Sequence, residues 1–166
     1  MKLSNQPTSQ YFVRDKDGAY QVLSPSDVVE AAKTLLSAKF QRGKQIKDAL
    51  CIKEHLRVQL APLEHEVFYA VWLDNRHRIL AEDELFRGTI NVSTVFPREV
   101  VKTALRHNAA KVILAHNHPS GIAEPSNSDE YITKRLVDAL HLVEVKVLDH
   151  IIIGEHIVSF AQRGLI

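Results

Sequence analysis

Between residues 25 and 60 apolar positions recur every three or four residues, and beyond Pro62 they alternate or run together. The chain therefore reads as two helices followed by a sheet carrying further helices. Ser24-Pro25-Ser26-Asp27 supplies a capping residue, a proline at the first helical position and an early acid. A helix over residues 25–40 follows, with Val28, Ala31, Ala32, Leu35 and Leu36 at helical spacing. The stretch 39–47 has four positive charges around Gly43 and no acid, and reads as a solvated connector. A second helix over 46–60 would set Ile46, Leu50, Cys51, Leu56 and Leu60 on one side, with Cys51 as a small apolar packing residue.

Residues 67–73 are dense in β-branched and aromatic side chains, Trp72 among them, and end at Asp74-Asn75. They predict a strand that turns into a second one near 78–81. Residues 89–95 are another strand candidate, and Pro97 opens a helix to about residue 108 with Val100, Val101, Ala104 and Leu105 inward. Residues 111–115 form a short apolar run suited to a central strand covered on both faces. A helix over 127–143 carries Ile132, Leu136, Val137, Leu140 and Val143 on one stripe. Two last strands, 145–153 and 156–160, meet at Gly154-Glu155. The expected fold class is thus α/β with an α+β-like mixed sheet.

Composition adds bounds. At 166 residues and 18.8 kDa, 45% hydrophobic and 25% charged, the chain has the balance of one globular domain with at most a small appendage. It divides into a flexible tail (1–22, with a short turn at Asp17-Gly18), a helical segment (23–62) and the main domain (63–166). No apolar stretch approaches the roughly 20 residues needed to cross a bilayer, so no membrane partner is expected. The single cysteine calls for no oxidising compartment, and a cytoplasmic location is the expectation. Residues 1–60 carry 10 Lys/Arg against 6 Asp/Glu, and 61–166 carry 11 against 14. Neither half announces a nucleic-acid surface.

The chemistry concentrates in Ala115-His116-Asn117-His118-Pro119-Ser120-Gly121 and in Ser126-Asn127-Ser128-Asp129. Side chains at i and i+2 of an extended segment leave on the same side, so His116 and His118 can converge at the end of a strand. Asp129 falls in the first turn of the next helix, within reach as a third ligand. Two imidazoles and one carboxylate leave a fourth tetrahedral position for water, the arrangement of a catalytic zinc site rather than a closed structural one. Ser126 and Asp129 also fit a capping box, which would hold that carboxylate in place. The letters His-Asn-His are not those of an HNH nuclease, whose residues are dispersed. His55, His65, His77, His107, His141 and His156 have no ligand spacing to the site and are expected at the surface or partly buried.

These residues resemble the JAMM (MPN+) zinc-hydrolase motif: a distant Glu, then His-x-His-Pro with Ser-x-x-Asp downstream. Phe86-Arg-Gly-Thr89, Pro97-Arg-Glu99, Leu148-Asp-His150 and Ser159-Phe-Ala-Gln-Arg-Gly164 make the chain similar to the RadC branch, over about residues 64–166. Residues 1–60 do not resemble the helix-hairpin-helix portion of full-length RadC proteins, and the chain is closer to short RadC-like forms. The resemblance implies a cytidine-deaminase-like JAMM/MPN fold and one Zn²⁺ held by His116, His118 and Asp129. It also implies a glutamate that accepts a proton from water, and Ser126 as a donor to the oxyanion. Glu66 is the best match for the glutamate, with Glu64, Glu82 and Glu84 as rivals. Asp149-His150 could orient a ligand from behind or form a core hydrogen-bonded pair. The implied activity is hydrolysis of amide bonds in a peptide or protein substrate. The alternative is a DNA-repair or mobile-element accessory protein with a structural or vestigial metal site, its nucleic-acid contact weakly supported by charge. The motifs leave the oligomeric state open.

Overall fold

A computed structural model describes residues 11–14, 16–39, 43, 45–88 and 95–166. The elements are β1 (Tyr11–Arg14), β2 (Tyr20–Leu23), α1 (Pro25–Lys39), α2 (Ala49–Leu60), β3 (Val67–Leu73), β4 (Ile79–Arg87), α3 (Pro97–Arg106), β5 (Lys111–Asn117), α4 (Asn127–His141), β6 (Lys146–Ile153), β7 (Ile157–Ser159) and α5 (Phe160–Arg163). The main sheet has the order β4-β3-β5-β6-β7. It is mixed: β3 runs antiparallel to β4 and β5, β5 and β6 are parallel, and β7 turns back on β6.

Helices cover both faces. On one, Ile52, Leu56 and Leu60 of α2 pack against Val71, Leu73, Ile113, Ala115, Ile151 and Ile153. On the other, Val100 and Ala104 of α3 and Leu136 and Leu140 of α4 pack against Ala70, Trp72, Val112 and Leu114. The strict alternation of β5 makes this possible, since even-numbered residues face α3 and α4 while odd-numbered ones face α2. Trp72 is fully buried within the sheet, as expected, and Cys51 packs half-buried against the α2 core.

Several expectations change in detail. Around the Asp17-Gly18 turn the chain forms a two-stranded hairpin, Tyr11 opposite Leu23 and Arg14 opposite Tyr20, where a tail was expected. Tyr-Phe-Val and Tyr-Gln-Val are good strand formers, and Gly18 takes the positive φ of 87° that the turn requires. α2 begins three residues later than expected, at Ala49 behind the N-cap Asp48, which accepts from Leu50 N. Ile46 therefore precedes the helix, Leu50 is exposed, and the buried stripe is Ile52, His55, Leu56 and Leu60. On α4 the buried stripe is Asp129, Thr133, Leu136 and Leu140, with Ile132 at its margin, and Val143 lies in the turn after the helix. β4 runs far past residue 81 because its three acids each find a partner. Glu82 accepts from Tyr69 Oη (3.1 Å) and meets His55 Nε2 (2.8 Å). Asp83 accepts from Trp72 Nε1 at 2.7 Å, and Glu84 from Arg87 at 2.6 and 2.9 Å. Burial, and then the Glu82 charge, raise the Tyr69 phenol far above its ordinary range. His55, expected near the surface, is buried on α2. The segment after β7 is a short helix, α5, capped by Ser159. The strand expected at 89–95 falls on residues outside those described, Val95 excepted.

Among the described residues no helix is long and apolar enough to cross a membrane. Leu56, wholly buried between α2 and the sheet, tests whether α2 is part of the same core. Leu56→Ala is expected to cost about 2–5 kcal/mol in chemical denaturation, with a single cooperative transition retained.

Candidate metal centre

His116 lies in the last turn of the β5 ladder, opposite Phe68 on β3 and Ile152 on β6, with its side chain on the α4 face and 1% exposed. Its ring stacks on Phe68 at 6.1 Å and 12°. His118 follows just beyond the strand, where its backbone N donates to Ile153 O at 2.8 Å. The next residues form a tight turn closed by Gly121 N donating to His118 O at 2.9 Å. Gly121 has φ +85°, a conformation that explains the glycine there. Asp129 enters from α4, and Ser126 N-caps that helix. The Ser126 hydroxyl donates to Asp129 Oδ2 (2.6 Å) and accepts from Asp129 N (3.2 Å), and Ser126 N donates to the same Oδ2 (2.8 Å).

The three ligand atoms lie within 4.8 Å of one another. His116 Nε2 is 2.9 Å from His118 Nε2 and 3.3 Å from Asp129 Oδ1, and His118 Nε2 is 3.6 Å from Asp129 Oδ2. A tetrahedral ion with bonds of about 2.0–2.1 Å needs ligand atoms about 3.3 Å apart, so the set has the right span for zinc. The donor chemistry fits as well. His118 Nδ1 donates to Ile122 O at 2.6 Å, which leaves its Nε2 as a bare lone pair. Electrostatics agree: the hydrogen bond to Asp129 raises the proton affinity of His118 against the opposing effect of burial, with Glu66 adding to the rise. Burial works to raise the Asp129 carboxyl, but the His116 and His118 rings, when charged, hold it well below the ordinary range. Both directions express one demand, for positive charge between two imidazoles and a carboxylate.

Glu66 immediately precedes β3. It stands two residues before Phe68, the partner of His116 in the ladder, and its charge raises the proton affinity of His118. Its own carbonyl accepts from Gly88 N at 2.8 Å. Of the rivals, Glu82 and Glu84 are engaged on β4 as described, while exposed Glu64 lines a cleft of about 520 Å³ together with His118, Pro119, Gly121 and Glu155. A second cleft, about 430 Å³, opens between α2 and β6 on the opposite face of the sheet.

Two residues have roles here that their letters did not disclose. Asn117, between the histidines, points to the α2 face and is 2% exposed. Its Oδ1 accepts from Val67 N (2.8 Å), and its Nδ2 donates to His65 O (2.9 Å) and Leu63 O (3.3 Å). The amide thus brackets Glu66 on both sides and ties the glutamate's backbone to the strand that carries the histidines. Thr133, one helical turn after Asp129, is buried and donates to Asp129 O at 2.5 Å. A polar residue on the buried stripe of α4 was the available signal. His150 lies wholly buried behind His116, its Nε2 2.8 Å from His116 Nδ1. Burial first, then the neighbouring His116 charge, push the His150 imidazole well below its ordinary range, so it is neutral. Asp149 faces the other way, where it accepts from Ser159 Oγ at 2.6 Å and from Ala161 N at 3.0 Å and so anchors α5.

Residues 46–165 match the family described as the RadC-like JAB domain. A UPF0758 protein of Thioalkalivibrio sulfidiphilus is 53% identical over 139 residues, which is 84% of this chain and 62% of that relative. A UPF0758 protein of Vibrio cholerae is 51% identical over 137 residues, 82% of this chain and 87% of its own length. One from Nitrosococcus oceani is 53% identical over 139 residues, 83% of this chain and 62% of its own. The chain thus spans less than two thirds of the length of two of these relatives.

The His118 turn leans on the β6–β7 turn, where Glu155 N donates to Gly121 O at 2.7 Å. A Cβ on Gly154 would collide with that same Gly121 carbonyl and come within 2.9 Å of Ala123 N, both backbone atoms. Gly154→Ala must therefore displace the turn that presents His118. The expected result is at least a tenfold loss of zinc affinity in a chelator competition, while the Trp72 environment in the distant sheet keeps its fluorescence.

Proposed function

The chain belongs to the RadC-like JAB domain family, and from that premise we propose that it is a zinc-dependent hydrolase of amide bonds in peptide or protein substrates. The observation that carries this reading is the convergence of His116 Nε2 and His118 Nε2, 2.9 Å apart, on the Asp129 carboxylate, whose two oxygens lie 3.3 and 3.6 Å from them, at the rim of an open cleft. Zinc in such a site supplies acidified water and polarisation of a carbonyl.

The remaining roles belong to the chain's own side chains. His116, His118 and Asp129 hold the ion, two as neutral imidazoles and one as the single negative charge. Glu66, whose charge reaches His118, is the base that accepts a proton from water and returns it to the departing amine. Asn117 keeps that carboxylate at a set distance from the histidines through its bonds on either side of residue 66. Ser126 orients Asp129, and its hydroxyl proton goes to Oδ2 in this arrangement, so an oxyanion would compete with the carboxylate for it. The near balance of basic and acidic residues gives a DNA-associated role no comparable support.

Glu66→Gln separates chemistry from metal binding. With metal content measured on the same preparation and hydrolysis followed on a peptide library, one zinc per chain should be retained while turnover falls about 10²- to 10⁴-fold. Turnover equal to the unmodified protein would remove Glu66 from the mechanism.

A further inference from the structure

The hydrogen bonds behind the metal centre form a circuit that reads in one direction. The Asp129 backbone carbonyl can only accept, so Thr133 Oγ1, 2.5 Å away, must give its one proton there. Towards His150 Nδ1, at 2.6 Å, the same oxygen is then an acceptor, and Nδ1 must carry hydrogen. Wholly buried between the Phe68 and Phe160 rings, His150 keeps a single ring proton, and with that proton on Nδ1 its Nε2 is bare. His116 Nδ1, 2.8 Å from it, must in turn be the donor. The circuit ends at His116 Nε2, left as a lone pair aimed at His118 Nε2 and Asp129. Every member is at most 1% exposed except Asp129 at 9%, so water does not compete for these bonds.

We infer that Thr133 and His150 are positioning residues of the metal site: they fix His116 in its Nδ1–H tautomer and tie it to Asp129 before any ion arrives. The inference rests on the metal-site reading of His116, His118 and Asp129. The sheet is built to deliver His150 there. Between β5 and β6 the register slips, with Val112 opposite Val147 but Ile113 opposite Asp149. This bulge leaves Leu148 unpaired and returns His150 to a place opposite Leu114, on the same face as His116. Unbulged pairing would set His150 opposite Ala115, on the α2 side. One extra residue in β6 thus decides which face receives the imidazole. Phe68 and Phe160 then close on it, with ring centroids at 5.3 and 4.9 Å. Thr133 is as specific: it lies four residues after Asp129 on α4, so a single helix supplies a ligand and the hydroxyl that begins the circuit.

The test has two independent arms. In metal-free, ¹⁵N-histidine-labelled protein, long-range ¹H–¹⁵N correlation should place the His116 proton on Nδ1; a proton on Nε2 overturns the inference. In chelator competition, Thr133→Val should weaken zinc binding about 10- to 100-fold, and Thr133→Ser should restore it. The cobalt-substituted Val variant should show altered visible bands and the Ser variant the original ones. A Val variant with unchanged affinity and spectrum also overturns the inference while leaving the hydrolase reading intact. If the unmodified protein holds no zinc, the hydrolase reading fails, and the metal-free tautomer still decides whether the circuit exists. Should the Val variant not fold, the tautomer and the cobalt spectrum of the Ser variant carry the decision.

Discussion

Three electron-rich atoms, held close by groups on separate elements, are the constraint around which this molecule is built. Two imidazole nitrogens 2.9 Å apart and a carboxylate 3.3 and 3.6 Å from them would spread in a free peptide. Here each is held by a bond on its far side: His116 by His150, His118 by the Ile122 carbonyl, Asp129 by the Ser126 cap. The holding groups belong to different elements, α4, β6 and the turn after β5. Sheet and helix must dock correctly before the three atoms can meet. Polar groups buried this deeply are costly unless every partner is present, so the network selects one packing of α4 on the sheet.

β5 does the central work because its two faces are used for different ends. His116 leaves on the α4 face as part of the charge-demanding cluster. Asn117 leaves on the α2 face and clamps the segment that delivers Glu66. A one-residue shift in register would exchange these duties and bury an imidazole against Leu56 and Leu60. The apolar run 112–115 prevents that shift, since both cores already claim alternate members of it. The apolar layers and the reactive end are therefore one construction.

Legibility in the sequence followed the range of the interactions involved. The i, i+2 histidines and the Ser-x-x-Asp cap are local geometry, and both were readable from spacing, as were the strand 67–73 and the helix from Pro97. The mixed α/β architecture followed from the change of period at Pro62. What escaped reading depended on partners distant in the chain. β4 continues through Glu82, Asp83 and Glu84 because His55, Tyr69, Trp72 and Arg87 satisfy them, and three successive acids alone look like a loop. Asn117 looked like a filler letter because its partners lie 50 or more residues earlier. The burial of His150 depends on a bulge, which alternation rules applied to 145–153 do not contain. The N-terminal hairpin was hidden in polar surroundings, since its apolar residues remain largely exposed even when paired.

On the proposed reading, the groups that would hold an ion and the surface that would face a substrate are built differently. His116 and Asp129 sit on a strand and a long helix, rigid elements that fix positions closely, and His118 on the turn that directly follows the strand. The cleft beside His118 is walled by three turns instead, at residues 61–64, 118–121 and 154–155. Two of these, the His118 turn and the β6–β7 turn, are bonded to each other through Gly121 and Glu155, and Gly154 lets their backbones approach closely. Such walls can change sequence without disturbing the sheet, provided the glycine contact survives. On that reading the chemistry would be set by the core, and the choice of what enters the cleft left to loops that the core supports.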